Sequence, residues 1–293
     1  MSALQPPIRC REIGASDLDA VADLLARGFP RRPRRYWSSG LQRQAARPTP
    51  EGYPRYGYLL EQGGNAVGVL LLIYSNRGTP AQPRIWCNLS SWYVEPAFRN
   101  YATMLTAIAQ RRAEVTYVNI SAARRTWPII EAQGFRAYCH GLLFSVPVLS
   151  AAGQGARVQQ VAADARAVDG IPSDEADLLI RHAGHGCLSI VVRSKQSSIP
   201  LVLQQARIRQ GRFALPAMQL IYCRDISDYV ACAGAVGRFL LLRGRVSVIV
   251  DANGPVAGLY GVYTERRGRK YIKGPQPARL GDLSNTELPI YGS

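Results

Sequence analysis

One pattern constrains the fold of this chain more than any other. A strand, a helix and a second strand occupy residues 84–122, and the same succession returns at 218–252. In the first copy the segments are "RIWCNLSSWYV", "FRNYATMLTAIAQRRA" and "VTYVNISA". In the second they are "MQLIYCRD", "ISDYVACAGAVGRFLLLRG" and "RVSVIVDA". Val115 aligns with Val246, an offset of about 131 residues, so the chain repeats a pattern rather than a sequence. A strand–helix–strand unit of this kind joins parallel neighbours in a sheet. Two such units in 293 residues point to two related α/β lobes with mixed sheets, at the usual domain size of ~100–200 residues.

The flanks extend each unit. "IRCREI" alternates as a strand, and Asp17 reads as the N-cap of a helix whose apolar positions 18, 21, 24, 25 and 29 share one face. "YGYLLEQGGNAVGVLLLIY" reads as a hairpin turning at Gly63-Gly64-Asn65. "RTWPIIEAQGF" is a short helix ended by Gly134, and "RAYCHGLLFSVPV" supplies one or two further strands. "SAAGQGA" (150–156) reads as a linker, which sets the lobes at 1–149 and 150–293. Beyond it come a strand, a helix capped by Ser173 and two strands before the second copy, then a basic hairpin and a proline-rich loop.

The first lobe, residues 8–148, resembles the GCN5-related N-acetyltransferases in element order and in two local patterns. The family's cofactor motif, V-x-P-x-x-R-x-x-G-x-G/A, is matched by Val94-Glu95-Pro96-Ala97-Phe98-Arg99-Asn100-Tyr101-Ala102-Thr103-Met104. The family's Gly-Phe helix ending is matched by Gly134-Phe135. The resemblance implies two tandem lobes of α/β (α+β mixed-sheet) class. It also implies an acyl-CoA cofactor, such as acetyl-CoA. Arg99 and the N–H groups of Asn100, Tyr101, Ala102 and Thr103 would meet its pyrophosphate, and Trp92 and Val94 would align its pantetheine arm. Unpaired amides at a helix start favour an anion in any case. Asn119 and Ser121 are the candidate polar contacts near the reacting carbon.

The sequence also departs from the family. Ala102 and Met104 stand where small glycine-like residues are usual, and Ile130 stands where many members carry a tyrosine that can act as general acid. The central strand carries Asn88, Ser90 and Ser91 but no carboxylate. Glu61 on the hairpin is a candidate base, although its turn position favours solvent. Cys139-His140 is a poor thiol–base pair, because neighbouring strand residues face opposite ways.

Net charge is +16, almost all from arginine, since lysine occurs only at positions 195, 270 and 273. The excess points to an anionic acceptor or surface. Arg27, Arg31, Arg32, Arg34, Arg35, Arg43 and Arg47, with Tyr36 and Trp37 beside them, would suit an anion and a stacked ring; the alternative is a solvated basic face. Six scattered cysteines without a CxxC pair read as buried thiols. His182, His185 and Cys187 lack a second ligand pair for a metal.

Gly234 and Gly237 lie two turns into a helix and read as packing glycines rather than a phosphate loop. Asp251, before Asn253-Gly254-Pro255, reads as a turn residue; Asp282 and Glu287 are the other carboxylates singled out in the second lobe. No apolar run approaches the ~20 residues of a membrane span, and the N-terminus lacks a secretory pattern, so the expectation is a cytoplasmic protein. The function expected is acyl transfer from acyl-CoA to an amine or hydroxyl of an anionic acceptor. Two alternatives remain open: an aminoacyl-tRNA-dependent transferase, and a non-catalytic module for nucleic acid or an anionic surface.

Overall fold

The computed structural model describes residues 6–79, 81–195, 197–210 and 213–292. Contacts divide the chain into two compact units. Unit 1 holds Met1–Ile120, Ile272–Pro277 and Asn285–Tyr291; unit 2 holds Ser121–Tyr271, Ala278–Ser284 and Gly292–Ser293. The lobes drawn from the sequence break at 149/150, whereas these contact units break at 120/121 and give two C-terminal segments to unit 1.

Unit 1 contains β1 (Arg9–Glu12), α1 (Leu18–Gly28), α2 (Arg34–Ala45), β2 (Gly57–Gln62), β3 (Asn65–Asn76), β4 (Ile85–Val94), α3 (Ala102–Ala109) and β5 (Thr116–Asn119). Its strands run in the order β1-β2-β3-β4-β5, antiparallel except for the β4–β5 pair. The β2–β3 turn falls at Gly63 and Gly64, both with positive φ (56° and 83°), as two-residue hairpins require. One sheet face is closed by α1 and α2. Val21, Leu24 and Leu25 of α1 and Trp37 and Leu41 of α2 meet Leu59, Val69, Leu71 and Ile73 of the sheet.

Unit 2 contains α4 (Trp127–Ala132), β6 (Arg136–Cys139), β7 (Gly141–Ser145), β8 (Arg157–Gln160), α5 (Ser173–Gly184), β9 (Leu188–Arg193), β10 (Ser198–Gln210), β11 (Phe213–Tyr222), α6 (Ile226–Leu241), β12 (Ser247–Ala252) and β13 (Gly261–Thr264). Its seven-stranded sheet runs β13-β7-β12-β11-β10-β9-β8. Here again only the β11–β12 pair is parallel. The core packs α6 residues Tyr229, Cys232, Val236 and Leu240 against Leu201, Leu203, Leu220, Val248 and Val250. β14 (Lys270–Lys273) begins in unit 2 and ends in unit 1, followed by α7 (Glu287–Tyr291) in unit 1.

The strand–helix–strand repeat is therefore present as β4-α3-β5 and β11-α6-β12. Each parallel ladder is three residue pairs long, Trp86–Asn88 against Thr116–Val118 and Ala217–Gln219 against Ser247–Ile249. Besides Ser173, which is the first residue of α5 behind an N-cap at Pro172 rather than its cap, four sequence expectations need correction. The helix expected over 98–113 is a 3-10 segment, Pro96–Tyr101, followed by the shorter α3. The basic hairpin does not form, because β13 pairs with β7 and lies in a different sheet from residues 270–273.

Asp17 holds the N-cap position of α1 but makes no side-chain cap hydrogen bond to it. Its carboxylate turns back to accept from the Gly14 N–H at 2.8 Å and from Arg11 at 2.6 and 2.9 Å. The Arg11 guanidinium first, and the Gly14 amide after it, hold that carboxyl below the ordinary aspartate range. A depressed carboxylate stabilises the native state above its unfolded pKa, and that contribution is lost as pH falls through the folded pKa. Arg11→Gln should therefore lower Tm at neutral pH, with the difference from wild type closing below about pH 4; an unchanged difference at acid pH would contradict the assignment.

Asp251 is the fourth correction. It sits within β12, buried, as the ion-pair partner of Lys270 at 2.7 Å. The turn signal after it belongs to Asn253, which accepts from the His140 N–H and donates to the Tyr138 carbonyl.

Candidate active site

β4 carries the features that set the site in unit 1. Its ladder to β5 ends at Asn88–Val118, yet β4 itself continues to Val94. From Leu89 onward no strand among the described residues pairs with that edge, so its backbone groups are open to an extended ligand. Ladder pairs join Leu72 to Leu89 and Leu70 to Trp92, so Ser90 and Ser91 together oppose Leu71. That is a β-bulge, which bends a strand and re-aims its side chains.

After Val94 the chain enters the 3-10 segment and then α3. Arg99, Asn100, Tyr101 and Thr103 are exposed and Ala102 half-buried. No non-glycine residue among those described has a positive φ. The turn therefore forms without the glycines missing from the motif. The Phe98 N–H donates to the Glu95 carbonyl at 2.9 Å, and the Ala102 N–H donates to that of Arg99. The Ala102 amide is thus already engaged, and Arg99 is the exposed cation of the turn. Met104 is half-buried. An open strand edge followed by a helix start and an arginine fits a pantetheine arm and pyrophosphate.

Cross-strand pairing assigns the faces. Asn88 pairs with Ile73 and Val118, so it shares the face covered by α1 and α2. Asn119 lies on the opposite face, with Cys87 and Leu89, while Ser121 is exposed beyond the end of β5. Trp92 also points to that opposite face, and its indole nitrogen is buried without a hydrogen-bond partner among the described residues. Val94 is buried opposite Gly68.

Asn88 is 1% exposed and donates through its amide to Glu287 of α7, 199 residues away in sequence. Asn88 Oδ1 and the Ser90 hydroxyl are buried and have no hydrogen-bond partner among the described residues. The last helix is held firmly. Arg43 donates to the Ile290 carbonyl and, at 3.0 Å, to that of Tyr291. The Tyr291 hydroxyl donates to Gln44 at 2.7 Å. Gly40 is required there, because a Cβ would lie 2.0 Å from the Tyr291 ring. Tyr36 lies beside Tyr291, with ring centroids 6.2 Å apart. Burial raises its phenol pKa, opposed by Arg32, with Glu287 raising it further. Sequence reasoning named Asn88 and Glu287 separately; no local signal joins positions so distant.

Other candidates resolve differently. Glu61 is paired with Arg11 at 2.6 Å, in a structural triad with Asp17. Cys139 is fully buried, its thiol pushed up to about 11 by burial, while His140 is exposed. Both ring nitrogens of His182 face carbonyls, Leu178 at 2.7 Å and Ser284 at 2.9 Å. No group of potential metal ligands occurs among the described residues.

Trp37 is buried against Phe29 and Tyr291 and cannot stack on a ligand base. Of the seven clustered arginines, Arg27 binds Glu95, Arg34 binds Asp19 and Asp23, Arg43 binds the last helix and Arg47 binds Asn285. In unit 2 the loop before α6 is likewise occupied. Arg224 grips Glu175 at 2.8 Å, and Asp225 caps α6 by accepting from the Ser227 N–H at 2.7 Å.

No protein-family profile matches the chain, and no curated protein does. Solved structures do. A GCN5-related N-acetyltransferase from Anabaena variabilis superposes with a TM-score of 0.57 at 11% identity, over 91% of this chain and 72% of that one. One from Kribbella flavida gives 0.54 at 13% identity, over 93% and 72%. A putative acetyltransferase from Pyrococcus horikoshii gives 0.52 at 12% identity, over 94% and 92%. No helix among the described residues is long and apolar enough to cross a membrane. With its two mixed sheets, each holding one short parallel ladder beside a helix, the chain has the tandem GCN5-related N-acetyltransferase fold.

Proposed function

We propose that this protein is an acyl-CoA-dependent acyltransferase acting on an amine or hydroxyl, with its donor site in unit 1. The observation that carries the reading is the β4 edge, left open from Leu89 to Val94 and leading straight into the Arg99 turn. A bound acyl-CoA would supply the electrophilic thioester. Trp92 and Val94 would align its arm along β4. Arg99, with the turn from Asn100 to Thr103, would hold the pyrophosphate. Asn119, on the face opposite Asn88, and Ser121, exposed beyond β5, would be the polar contacts near the reacting carbon. Holding a thioester beside an acceptor already accounts for much of the rate, without a covalent enzyme intermediate. The engaged arginines of 27–47 leave fewer charges for an anionic acceptor or for nucleic acid than composition alone implies.

The test is calorimetric titration with acetyl-CoA and a longer acyl-CoA. Arg99→Ala should weaken binding about 10–100-fold, the size of a charge-assisted phosphate contact, without a change in Tm. Wild type that binds neither acyl-CoA would overturn the reading. Steep salt dependence of binding to an unrelated RNA, of the kind that follows many phosphate contacts, would favour the nucleic-acid alternative.

A further inference from the structure

Unit 2 holds a cavity of about 290 Å³ where α5 and α6 both end. The two helices stop in the same way. At the end of α5 the Gly186 N–H donates to the Ala183 carbonyl at 2.9 Å, and the Cys187 N–H to that of His182 at 3.0 Å. At the end of α6 the Gly244 N–H donates to the Leu241 carbonyl at 2.9 Å, and the Arg245 N–H to that of Leu240 at 3.0 Å. Gly186 and Gly244 supply the positive φ that this helix ending needs, 80° and 69°. The residues that follow them, Cys187 and Arg245, line the same cavity. Ladder pairing puts Leu188, Gln205 and Met218 on the sheet face that carries α6. Cys187, Met218 and Leu240 are buried, Leu188 is half-buried, and Gln160, Gln205 and Arg243 are exposed. The cavity therefore has an apolar floor and opens to solvent at a polar rim. Burial pushes the Cys187 thiol up to about 12, so it is a neutral wall and not a nucleophile.

Two cations line this space, and among the described residues no carboxylate does. The helix end accounts for Arg243. Its guanidinium lies over the Phe239 ring and donates to the Phe239 carbonyl at 3.2 Å, as suits a cation at a helix C-terminus. Nothing comparable accounts for Arg245. It is half-buried, and its guanidinium has no hydrogen bond or ion pair among the described residues. Withdrawing a charge from water without a partner is costly. A planar fork of donors is matched by a carboxylate, which it binds through two parallel hydrogen bonds.

We propose that this cavity binds a small organic carboxylate, its head on Arg245 and Arg243 and its apolar body against Leu188, Met218 and Leu240. The volume equals that of about ten waters at ~30 Å³ each, so the ligand has about ten heavy atoms, at the small end of ligand sites. The apolar floor selects a singly charged head on an apolar body over inorganic phosphate, which needs donors on several sides. α6 is 16 residues long, or about 24 Å at ~1.5 Å per residue. The site thus stands a helix length from the Arg224 loop, the counterpart in this unit of the Arg99 turn. It is separate from the acyl-transfer reading and does not depend on it.

Calorimetry and saturation-transfer NMR on the full-length protein test it. Octanoate and 3-phenylpropionate are the carboxylate probes, with 3-phenylpropionamide and inorganic phosphate as controls. Wild type should bind at least one carboxylate, and both controls about 10-fold more weakly or not at all. Arg245→Met should weaken carboxylate binding about 10–100-fold, the size of a charge-assisted contact, without lowering Tm, because no partner in the protein is lost. Gln160→Trp adds bulk at an exposed rim position on the edge strand β8. It should close the opening and weaken binding while Arg245 stays in place. The proposal is overturned if neither carboxylate binds, if the amide or phosphate binds as tightly, or if either variant binds like wild type. It is also overturned if acetyl-CoA displaces the carboxylate and Arg99→Ala abolishes its binding, which would put the ligand in unit 1.

Discussion

Lys270→Met should destabilise the protein by about 3–5 kcal/mol, the range for removing one member of a buried ion pair. Lys270 and Asp251 are each 3% exposed. The Lys270 ammonium donates to Asp251 Oδ1 at 2.7 Å and to the Gly268 carbonyl at 3.2 Å, while Asp251 Oδ2 has no partner among the described residues. Removing the lysine leaves a carboxylate in the interior without its counter-charge. Burial already pushes the Asp251 carboxyl above its ordinary range, against the pull of Lys270. Without the lysine that pull is gone, so the folded variant holds the proton still more tightly. A raised folded pKa gives stability below the unfolded pKa that is lost as pH rises through the folded one. The variant should therefore melt closest to wild type in mild acid and fall away towards neutral and alkaline pH. Replacing both partners, Lys270→Met with Asp251→Leu, should restore most of the loss, since an apolar pair fills such a site without a desolvation cost. Denaturant melts of the three proteins at acid and neutral pH decide the matter. A single variant no less stable than wild type would mean that the pair is solvated in solution.

The strand–helix–strand repeat was legible because it depends on local periodicity: alternation in "RIWCNLSSWYV" and a 3.6-residue pattern in "ISDYVACAGAVGRFLLL". The packing role of Gly234 and Gly237 was legible for the same reason, as spacing on one helix face. What failed depended on partners distant in sequence. Asp251 looked like a turn residue because Asn253-Gly254-Pro255 follows it, and its true partner is 19 residues away on β14. Glu287 was singled out as a carboxylate of the second lobe, and its partner Asn88 is 199 residues away. The arginines of 27–47 looked like an anion site because composition counts charges and cannot see Asp19, Asp23 and Glu95 folding back on them. Seventh-strand pairing was similarly hidden. Nothing in "GVYT" says that it pairs with β7 rather than with "KYIK".

Gly234→Ala tests directly whether the glycines of α6 serve packing. Propensity alone predicts a gain of about 1 kcal/mol, because alanine is the better residue inside a helix. The structure predicts the opposite sign. A Cβ on Gly234 would lie 2.1 Å from the Ser150 carbonyl oxygen and 2.6 Å from that of Ala152. One on Gly237 would lie 2.2 Å from the Val148 nitrogen. These neighbours are backbone atoms of the segment after β7, so no rotamer change relieves the clash, and α6 must move away from the segment it covers. Such movement would uncover part of the core formed by Cys232, Val236 and Leu240. The expected loss is about 3 kcal/mol or more for either single variant, at the upper end for overpacking. The double variant should lose less than the sum, because one displacement of the helix relieves both contacts. Equilibrium unfolding with tryptophan fluorescence and circular dichroism reads the result. A Gly234→Ala protein that gains stability would mean that α6 stands farther from the 147–152 segment than these distances state, and would return the glycines to the phosphate-loop reading.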